Sequence, residues 1–277
     1  HWKHWRKSNK APIGPGNESF ENWTEVSEMD DDELYATEFR NADGSPAKLF
    51  SSANRKTVMR HFQWMQDYQL DGVFLQRFAN GIHPNSLLLQ HKNQVLSHVR
   101  EGANRHGRAY ALMYDLSGLR KDATRRVYHD WRMLRNTMQV GEDHAYLKHR
   151  GKPLVAIWGV GFGDDREYTL AECRDLIIAL KNDGCSILLG VPTGWRELER
   201  DAEKTPVVHE VLKLADAISP WTVGRYRSPK EATTHMTNYW APDEAWTQKA
   251  GIDYLPVVYP GFSWKNLKGG DEELGAI

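Results

Sequence analysis

Aromatic and hydrogen-bonding residues recur where short apolar runs of the sequence end. Tryptophan and tyrosine rings pack against the C–H face of a sugar, while carboxylates and guanidinium groups bind its hydroxyls. The chain contains 11 Trp and 11 Tyr, and their positions favour a wide cleft that stacks sugar rings, although any single ring could equally pack in the core. The run ends in question are 76–77, 114–118, 158–159, 192–196, 219–221 and 259–264.

Asp115 is the strongest single candidate for chemistry. It ends the apolar run 109–115 and precedes Leu-Ser-Gly, so we expect its carboxylate to face the cleft. There it would accept sugar hydroxyls, orient a neighbour or act as an acid or base; a turn-capping aspartate is the alternative. Arg77 follows another apolar run and would pair with Asp115, bind a hydroxyl or an acidic sugar, or form a structural ion pair between strands.

Other catalytic arrangements have weak support in the sequence. Glycoside hydrolysis usually needs two carboxyl groups flanking the bond, yet Glu244 falls in a predicted helix and 164–165 in a loop. No Gly-x-Ser-x-Gly elbow is present. His1, His4 and His83 lack a carboxylate at metal-binding spacing, so we expect neither a metal nor a cofactor.

The elements that must position these residues alternate between strand and helix. Near-continuous apolar strands imply burial on both faces and hence a parallel sheet, which favours a (β/α)8 barrel or an open doubly wound sheet. The glycines at 159, 161 and 163 are weak evidence for nucleotide binding. The predicted strands are 72–77, 109–115, 153–158, 186–191, 217–221 and 254–259, and the predicted helices are 54–68, 84–105, 123–138, 170–182, 207–214 and 230–248.

A barrel would bring the strand ends together, because barrel active sites lie at the carboxyl ends of the strands. We expect one domain over residues 1–277, with 1–50 as an irregular surface segment of that domain. Within this segment the acidic run 30–33 is typical of a solvated face.

Composition excludes several classes of protein. Of the 277 residues, 40% are hydrophobic and 26% charged. The formal net charge is -1, whereas a nucleic-acid binder usually carries an excess of positive charge. No apolar stretch approaches the roughly 20 residues that a membrane-spanning helix needs. Cys173 and Cys185 are expected to be free and buried, because a helix between them would hold them beyond disulfide reach.

Four stretches resemble the glycoside hydrolase 71/99-like group, whose members often carry the label xylosidase/arabinosidase. The resemblance runs from about His1 to the end of the chain, and the characterised relatives are endo-α-mannosidases and α-1,3-glucanases. It implies a (β/α)8 TIM barrel acting on an α-linked, mannan-like or glucan-like glycan by retaining hydrolysis, in which the sugar's own 2-hydroxyl attacks. The stretches are 71–78 (DGVFLQRF), 110–118 (YALMYDLSG), 151–159 (GKPLVAIWG) and 256–264 (PVVYPGFSW).

The resemblance also implies that two strand regions are missing. The relatives have eight strands and this sequence shows six, so the first and last strand regions would lie before His1 and after Ile277. The catalytic glutamates of the endo-mannosidases belong to that last region, and we therefore expect a domain truncated at both ends. A secreted, periplasmic or cell-surface monomer that binds carbohydrate, and no nucleic acid, is the expected setting.

The predicted site combines one catalytic candidate with a sugar-binding wall. Two other readings stay open: a non-catalytic glycan-binding barrel, which would lack the acidic pair, and a metal-dependent barrel hydrolase that uses histidines, which a chelator would inactivate. Asp115 is the catalytic candidate, and the expected substrate-binding residues are Arg77, Tyr114, Trp158, Trp195, Arg196, Trp221, Tyr259 and Trp264.

The replacement Asp115→Ala is expected to lower glycan turnover or binding about tenfold or more, because a buried sugar hydroxyl would lose a charged acceptor. The protein should stay folded, which circular dichroism checks. Unchanged kinetics would remove Asp115 from the site.

Overall fold

A computed structural model describes residues 5–8, 10–84 and 86–261. Its main sheet contains six parallel strands whose order in space is their order along the chain. A doubly wound sheet would reverse direction at a switch point, whereas consecutive order is that of a barrel wall. Among the described residues, the strands Gly72–Phe78 and Asp253–Tyr254 stand at the two ends of this row of strands.

The elements follow one another with short connections. A first hairpin precedes the sheet, and β5 adds a short antiparallel pair to β6. The strands are β1 (Leu34–Arg40), β2 (Pro46–Phe50), β3 (Gly72–Phe78), β4 (Ala109–Asp115), β5 (Lys148–His149), β6 (Lys152–Trp158), β7 (Ser186–Val191), β8 (Ala217–Pro220) and β9 (Asp253–Tyr254); the helices are α1 (Arg55–Asp67), α2 (Leu87–His106), α3 (Arg125–Met138), α4 (Leu170–Asn182), α5 (Val207–Leu212), α6 (Pro229–His235) and α7 (Ala241–Ala250).

The predicted alternation of strands and helices is confirmed, with differences at the boundaries. Helix α1 begins after Asn54, whose side chain accepts the N–H of Lys56. Helix α2 begins at Leu87 rather than at Pro84, because Ser86 caps it by accepting the N–H of Leu89. Strand β9 is two residues long, so the prediction of a strand over 254–259 was wrong beyond its first residue.

The predicted last helix is interrupted by a π-helical turn, Met236–Trp240, between α6 and α7. Pro242 follows that turn within the first residues of α7. Proline has no N–H and its ring crowds the carbonyl four residues earlier, which here is the carbonyl of Asn238. The wider turn relieves this contact, and the Arg196 Nη2 lies 3.5 Å from the Asn238 oxygen.

Residues 1–50 were predicted to be irregular, and this was wrong for the hairpin of β1 and β2. Tyr35, Thr37 and Phe39 favour extended backbone, and Gly44, with φ of 83°, closes the turn. The hairpin packs on a small apolar cluster of its own. It is joined to α1 by Glu33, which is fully buried and forms an ion pair with Arg60 at 2.6 Å.

Each face of the main sheet has its own apolar cluster. The larger one lies between the sheet and the helices and includes Trp131 of α3 and Leu96 of α2. The smaller one lies on the opposite face, where Ala156 and Leu188 pack with Phe74 and Met113. Because neighbouring side chains of a strand point to opposite faces, these clusters identify which residues face the helices and which face the other side of the sheet, called the interior below.

A buried ion pair joins the first two strands of the wall to α3. The guanidinium of Arg77 donates to both carboxylate oxygens of Asp130, at 3.0 and 2.8 Å. Tyr114 donates to the same carboxylate at 2.8 Å, and Asn93 of α2 accepts from Arg77 at 3.1 Å. Arg77 and Asp130 are almost completely buried, so the low dielectric makes each depend on the other.

The amino ends of the strands are tied by a second polar group. His149 of β5 lies 2.6 Å from the Ser186 hydroxyl through Nδ1 and 2.6 Å from the Asp253 carboxylate through Nε2. Ser186 begins β7 and Asp253 begins β9. Arg150 also donates to Asp253, at 3.0 Å. Residues at the amino ends of barrel strands usually serve stability, and this group joins three strands there.

Two further sequence predictions can be compared with the structure. Cys173 and Cys185 are free and buried, as predicted, and burial raises the pKa of each thiol to about 12. No helix in the described ranges is both long and apolar enough to cross a bilayer.

Loss of one partner of the buried pair should be costly. Asp130→Ala is expected to lower the free energy of unfolding by about 3–5 kcal/mol, because Arg77 would remain buried as an unpaired charge. Denaturant titration measures the change. The double replacement Arg77→Met with Asp130→Leu should recover part of the loss, whereas a single-variant loss below about 1 kcal/mol would contradict a stabilising role for the pair.

Candidate functional site

A row of residues crosses the sheet at its carboxyl end. The strand registers place Phe78 beside Asp115, Asp115 beside Trp158, Trp158 beside Gly190, and Gly190 beside Ser219. This inner row lies one pleat above the smaller apolar cluster, on the face turned away from the helices. It therefore brings together the predicted residues Asp115 and Trp158.

The Asp115 carboxylate is held by two neighbours. Gln76 of β3 donates to Oδ2 at 2.7 Å, and the backbone N–H of Ser117 donates to Oδ1 at 2.8 Å. The second contact is the turn cap that was the alternative prediction, and it is compatible with a role in the site. A carboxylate offers about four acceptor positions, so Asp115 retains capacity for a ligand hydroxyl while its orientation is fixed.

The Trp158 ring occupies the space that a side chain at residue 190 would fill. A Cβ at residue 190 would overlap the six-membered ring of the Trp158 indole, so the ring lies across β7 at Gly190. Trp221, which follows β8, packs edge-on against it with 5.7 Å between ring centroids. Both rings are half-buried. The pair forms an aromatic floor beside Asp115, the combination that a sugar ring needs.

The chain leaves β6 through Gly159, whose φ of 113° favours glycine. The hydroxyl of Tyr168 donates to the Gly159 carbonyl at 2.7 Å and closes the loop back onto the strand end. A side chain at 159 would meet this hydroxyl and the guanidinium of Arg166. The loop therefore leaves Trp158 in a fixed direction.

Two loops at this end of the sheet are clamped together. Asp201 accepts the backbone N–H groups of Thr193 and Gly194, at 3.1 and 3.0 Å, and the guanidinium of Arg225. Thr193 donates its hydroxyl to the Trp221 carbonyl at 2.6 Å. Asp201 is thus occupied in holding the loop after β7 to the loop after β8, which fixes the backbone of Trp221.

Arg77 and Tyr114, predicted to bind substrate, lie on the other face of the sheet. Both point towards the helices and share Asp130. They neighbour Gln76 and Asp115, which face the interior, and adjacent residues of a strand cannot share a face. The structure therefore gives them a part in the core and no place beside the inner row.

Trp195 and Arg196 belong to the loop after β7, and both contact α7. Trp195 is fully buried, packs edge-on against Trp246 and donates to Asp243 at 3.1 Å, and Arg196 donates to the same carboxylate at 2.9 Å. Burial raises the pKa of Asp243 to about 6, although Arg196 opposes the shift. These contacts anchor the loop after β7 and do not reach the inner row.

Tyr259 packs beside the loop after β8. Its hydroxyl accepts the N–H of Tyr226 at 3.0 Å and donates to the Tyr226 carbonyl, and the two rings lie 4.5 Å apart. Tyr226 also contacts His235, whose pKa falls to about 4 through burial and the nearby charges of Arg200 and Arg225. Three residues that entered the predictions, His1, His4 and Trp264, lie outside the described residues.

Sequence reasoning missed the residues that position the others. Gln76 and Ser219 lie within the predicted run ends but were given no role, and Gly190, Asp201 and Arg225 were not considered. Gln76, Gly190 and Ser219 belong to the inner row or hold it, and Asp201 and Arg225 clamp its loops. The alternation of side chains would have found Gln76. Phe78 of β3 is in register with Asp115 of β4, and Gln76, two residues before Phe78, faces the same side of the sheet. The loop clamp has no local signal, since its members are up to 32 residues apart.

The fold of this chain resembles that of solved glycoside hydrolase structures. The GH99 endo-alpha-mannosidase from Bacteroides thetaiotaomicron superposes with a TM-score of 0.58 at 16% identity, covering 95% of this chain and 67% of that one. The chain has the fold of the GH99 structures. A complex of a GH99 endo-alpha-mannosidase with BIS-TRIS-propane gives a TM-score of 0.58 at 14% identity, covering 86% of this chain and 64% of that chain.

A third structure, of a glycoside hydrolase-like protein, has a TM-score of 0.56 at 10% identity over 81% of this chain and 68% of that chain. The chain thus spans about two thirds of the length of the GH99 structures. No protein-family model and no curated protein match the sequence. The predicted resemblance to the GH99 group is therefore confirmed through the fold.

The replacement Gly190→Ala tests the aromatic floor. The added methyl group should displace the Trp158 ring and lower glycan affinity about tenfold, the scale of one lost ring contact. Titration calorimetry measures the affinity, and near-ultraviolet circular dichroism reports the ring. Gly141→Ala is the matched control, because its Cβ would meet its neighbours at an ordinary 3.5 Å; equal affinities in both variants would exclude Trp158 from binding.

Proposed function

We propose that this protein is a glycoside hydrolase that acts on an α-linked glycan, mannan-like or glucan-like. The inner row is the observation that carries the proposal: a fixed carboxylate, Asp115, stands in register with the half-buried ring of Trp158. The row lies at the carboxyl end of a parallel sheet, where barrel enzymes place their active sites. The GH99 fold supports the reaction class.

Asp115 has the surroundings of a residue that holds a sugar in place. Its two oxygens are oriented by Gln76 and Ser117, which leaves acceptor positions for hydroxyl groups. The Trp158 and Trp221 rings offer apolar faces beside it. Hydrogen bonds to hydroxyls that strengthen at the transition state would raise the rate as well as the affinity.

We propose that the six strands belong to an eight-stranded barrel. The acid and base of a retaining mechanism, in which the sugar 2-hydroxyl attacks, would come from the last strand region of that barrel. In the described part of the chain, Asp115 is the one carboxylate of the inner row, which fits this division of roles. A secreted, periplasmic or cell-surface monomer is the proposed setting.

A non-catalytic glycan-binding protein is the second candidate. The same observation favours it, because hydrolysis usually needs two carboxyl groups and the inner row of the described strands contains one. The aromatic floor would then serve binding alone.

The proposal is tested by product release from a panel of α- and β-linked glycans, using the full-length protein with and without a chelator. We expect cleavage of an α-mannan or an α-glucan, unaffected by the chelator, and loss of cleavage in the isosteric variant Asp115→Asn. Asp175→Asn, an exposed helix residue, is the matched control.

Each other outcome has a distinct meaning. Glycan binding without cleavage would support the non-catalytic protein, and cleavage abolished by the chelator would support a metal-dependent hydrolase. Cleavage of β-linked glycans alone would overturn the proposed linkage. Absence of both binding and cleavage across the panel would overturn the function.

A further inference from the structure

A separate recess opens between the loop after β6 and the loop after β7. Its volume is about 490 Å³, within the roughly 300–1,000 Å³ typical of small-ligand pockets. The two loops are strapped together by an antiparallel bridge between Phe162 and Ala202 and by the Glu203 N–H, which donates to the Gly161 carbonyl at 2.9 Å. The recess is therefore a built feature of the carboxyl end of the sheet.

The recess contains a carboxylate without a partner. Glu203 is half-buried, and among the described residues no group donates a hydrogen bond to its side-chain oxygens. Burial and the charge of Asp164 raise the pKa of Glu203. A carboxylate in such a position is stabilised by donors from a ligand.

The only cation that lines the recess, within the described part of the chain, is already neutralised. Arg166 donates to both oxygens of Asp164, at 2.6 and 3.1 Å, and its guanidinium lies 4.4 Å from the centre of the Phe162 ring. Asp165 adds a further carboxylate to the lining. The recess thus favours hydroxyl donors and disfavours an anionic ligand, while Ala171 and Val207 give it apolar surface.

The recess borders the loops that frame the inner row. Gly159 directly follows Trp158, and Tyr168, which lines the recess, donates to the Gly159 carbonyl. On the other side, Asp201 belongs to the loop clamp and Glu203 lies two residues further along. One pair of loops therefore separates the aromatic floor from the recess.

We propose that this recess is an accessory subsite for a neutral sugar unit of the glycan, bound through its hydroxyls to Glu203. The inference rests on the proposed function. A glycan with one unit against Trp158 extends over the loop 159–163 and places a later unit in the recess. Acidic sugars are rejected there, because Glu203 and Asp165 repel a uronate.

The test compares linear α-linked manno-oligosaccharides of two and six units by titration calorimetry with the full-length protein. Glu203→Gln keeps the side-chain shape and removes the charge, so the Kd of the longer ligand should rise about tenfold and that of the shorter one should not change. Glu210→Gln, exposed on α5 and outside the recess, should leave both values unchanged.

A filling variant tests the space itself. Ala171→Trp places a large ring in the recess and should weaken binding of the longer ligand alone, while Ala245→Trp, an equally exposed helix position, should have no effect. A uronate oligosaccharide of six units should bind the parent protein more weakly than the manno-oligosaccharide of the same length. The replacement Glu203→Gln should reduce this difference in Kd.

Three results would overturn the subsite. If the parent binds or cleaves the glycans and both recess variants match it, the recess takes no sugar and the proposed function stands. If Glu203→Gln weakens both ligand lengths equally, Glu203 acts on the loop structure. If the parent neither binds nor cleaves any glycan, the proposed function fails and the subsite fails with it.

Discussion

The alternation of side chains along a parallel strand is the constraint on which this structure depends. Every second residue of β3 and β4 must face the helices, and the residue between must face the interior. Arg77 and Tyr114 therefore lie in the core with Asp130, and Gln76 and Asp115 meet on the other face. Neighbouring residues of one strand thus belong to two different polar groups, one among the helices and one in the inner row.

Much of the fold could be predicted from the sequence because its strands are short, apolar and separated by helices. The six strand positions follow from runs such as 109–115 and 186–191, which are long enough to cross a sheet and too short for a helix. The carboxyl ends of the predicted strands also led to the prediction that Asp115 and Trp158 lie close together, which the strand register confirms. Local pattern was sufficient wherever burial alone decides the structure.

The remaining errors have physical causes beyond local pattern. Strand β1 of the hairpin is exposed at four of its seven positions, so its sequence lacks the apolar run that marks a buried strand. The π-helical turn directly precedes α7 and its Pro242, and the helical pattern over 230–248 does not show this interruption. Trp195 and Arg196 stand at a strand end like Trp158 does, but Asp243 binds them from α7, far along the chain. Whether an aromatic ring at a strand end lies in the core or in the inner row depends on partners whose positions the sequence does not show.

The polar group of His149, Ser186 and Asp253 has a consequence for how such a protein changes over evolutionary time. It joins the amino ends of the strands, whereas Asp115, the clamp at Asp201 and the recess all stand at the opposite ends. Substitutions in the upper loops can therefore accumulate without loosening the frame below them. Such insulation lets the loop sequences change while the backbone persists, and it agrees with a shared fold at 10–16% identity to the solved glycoside hydrolases.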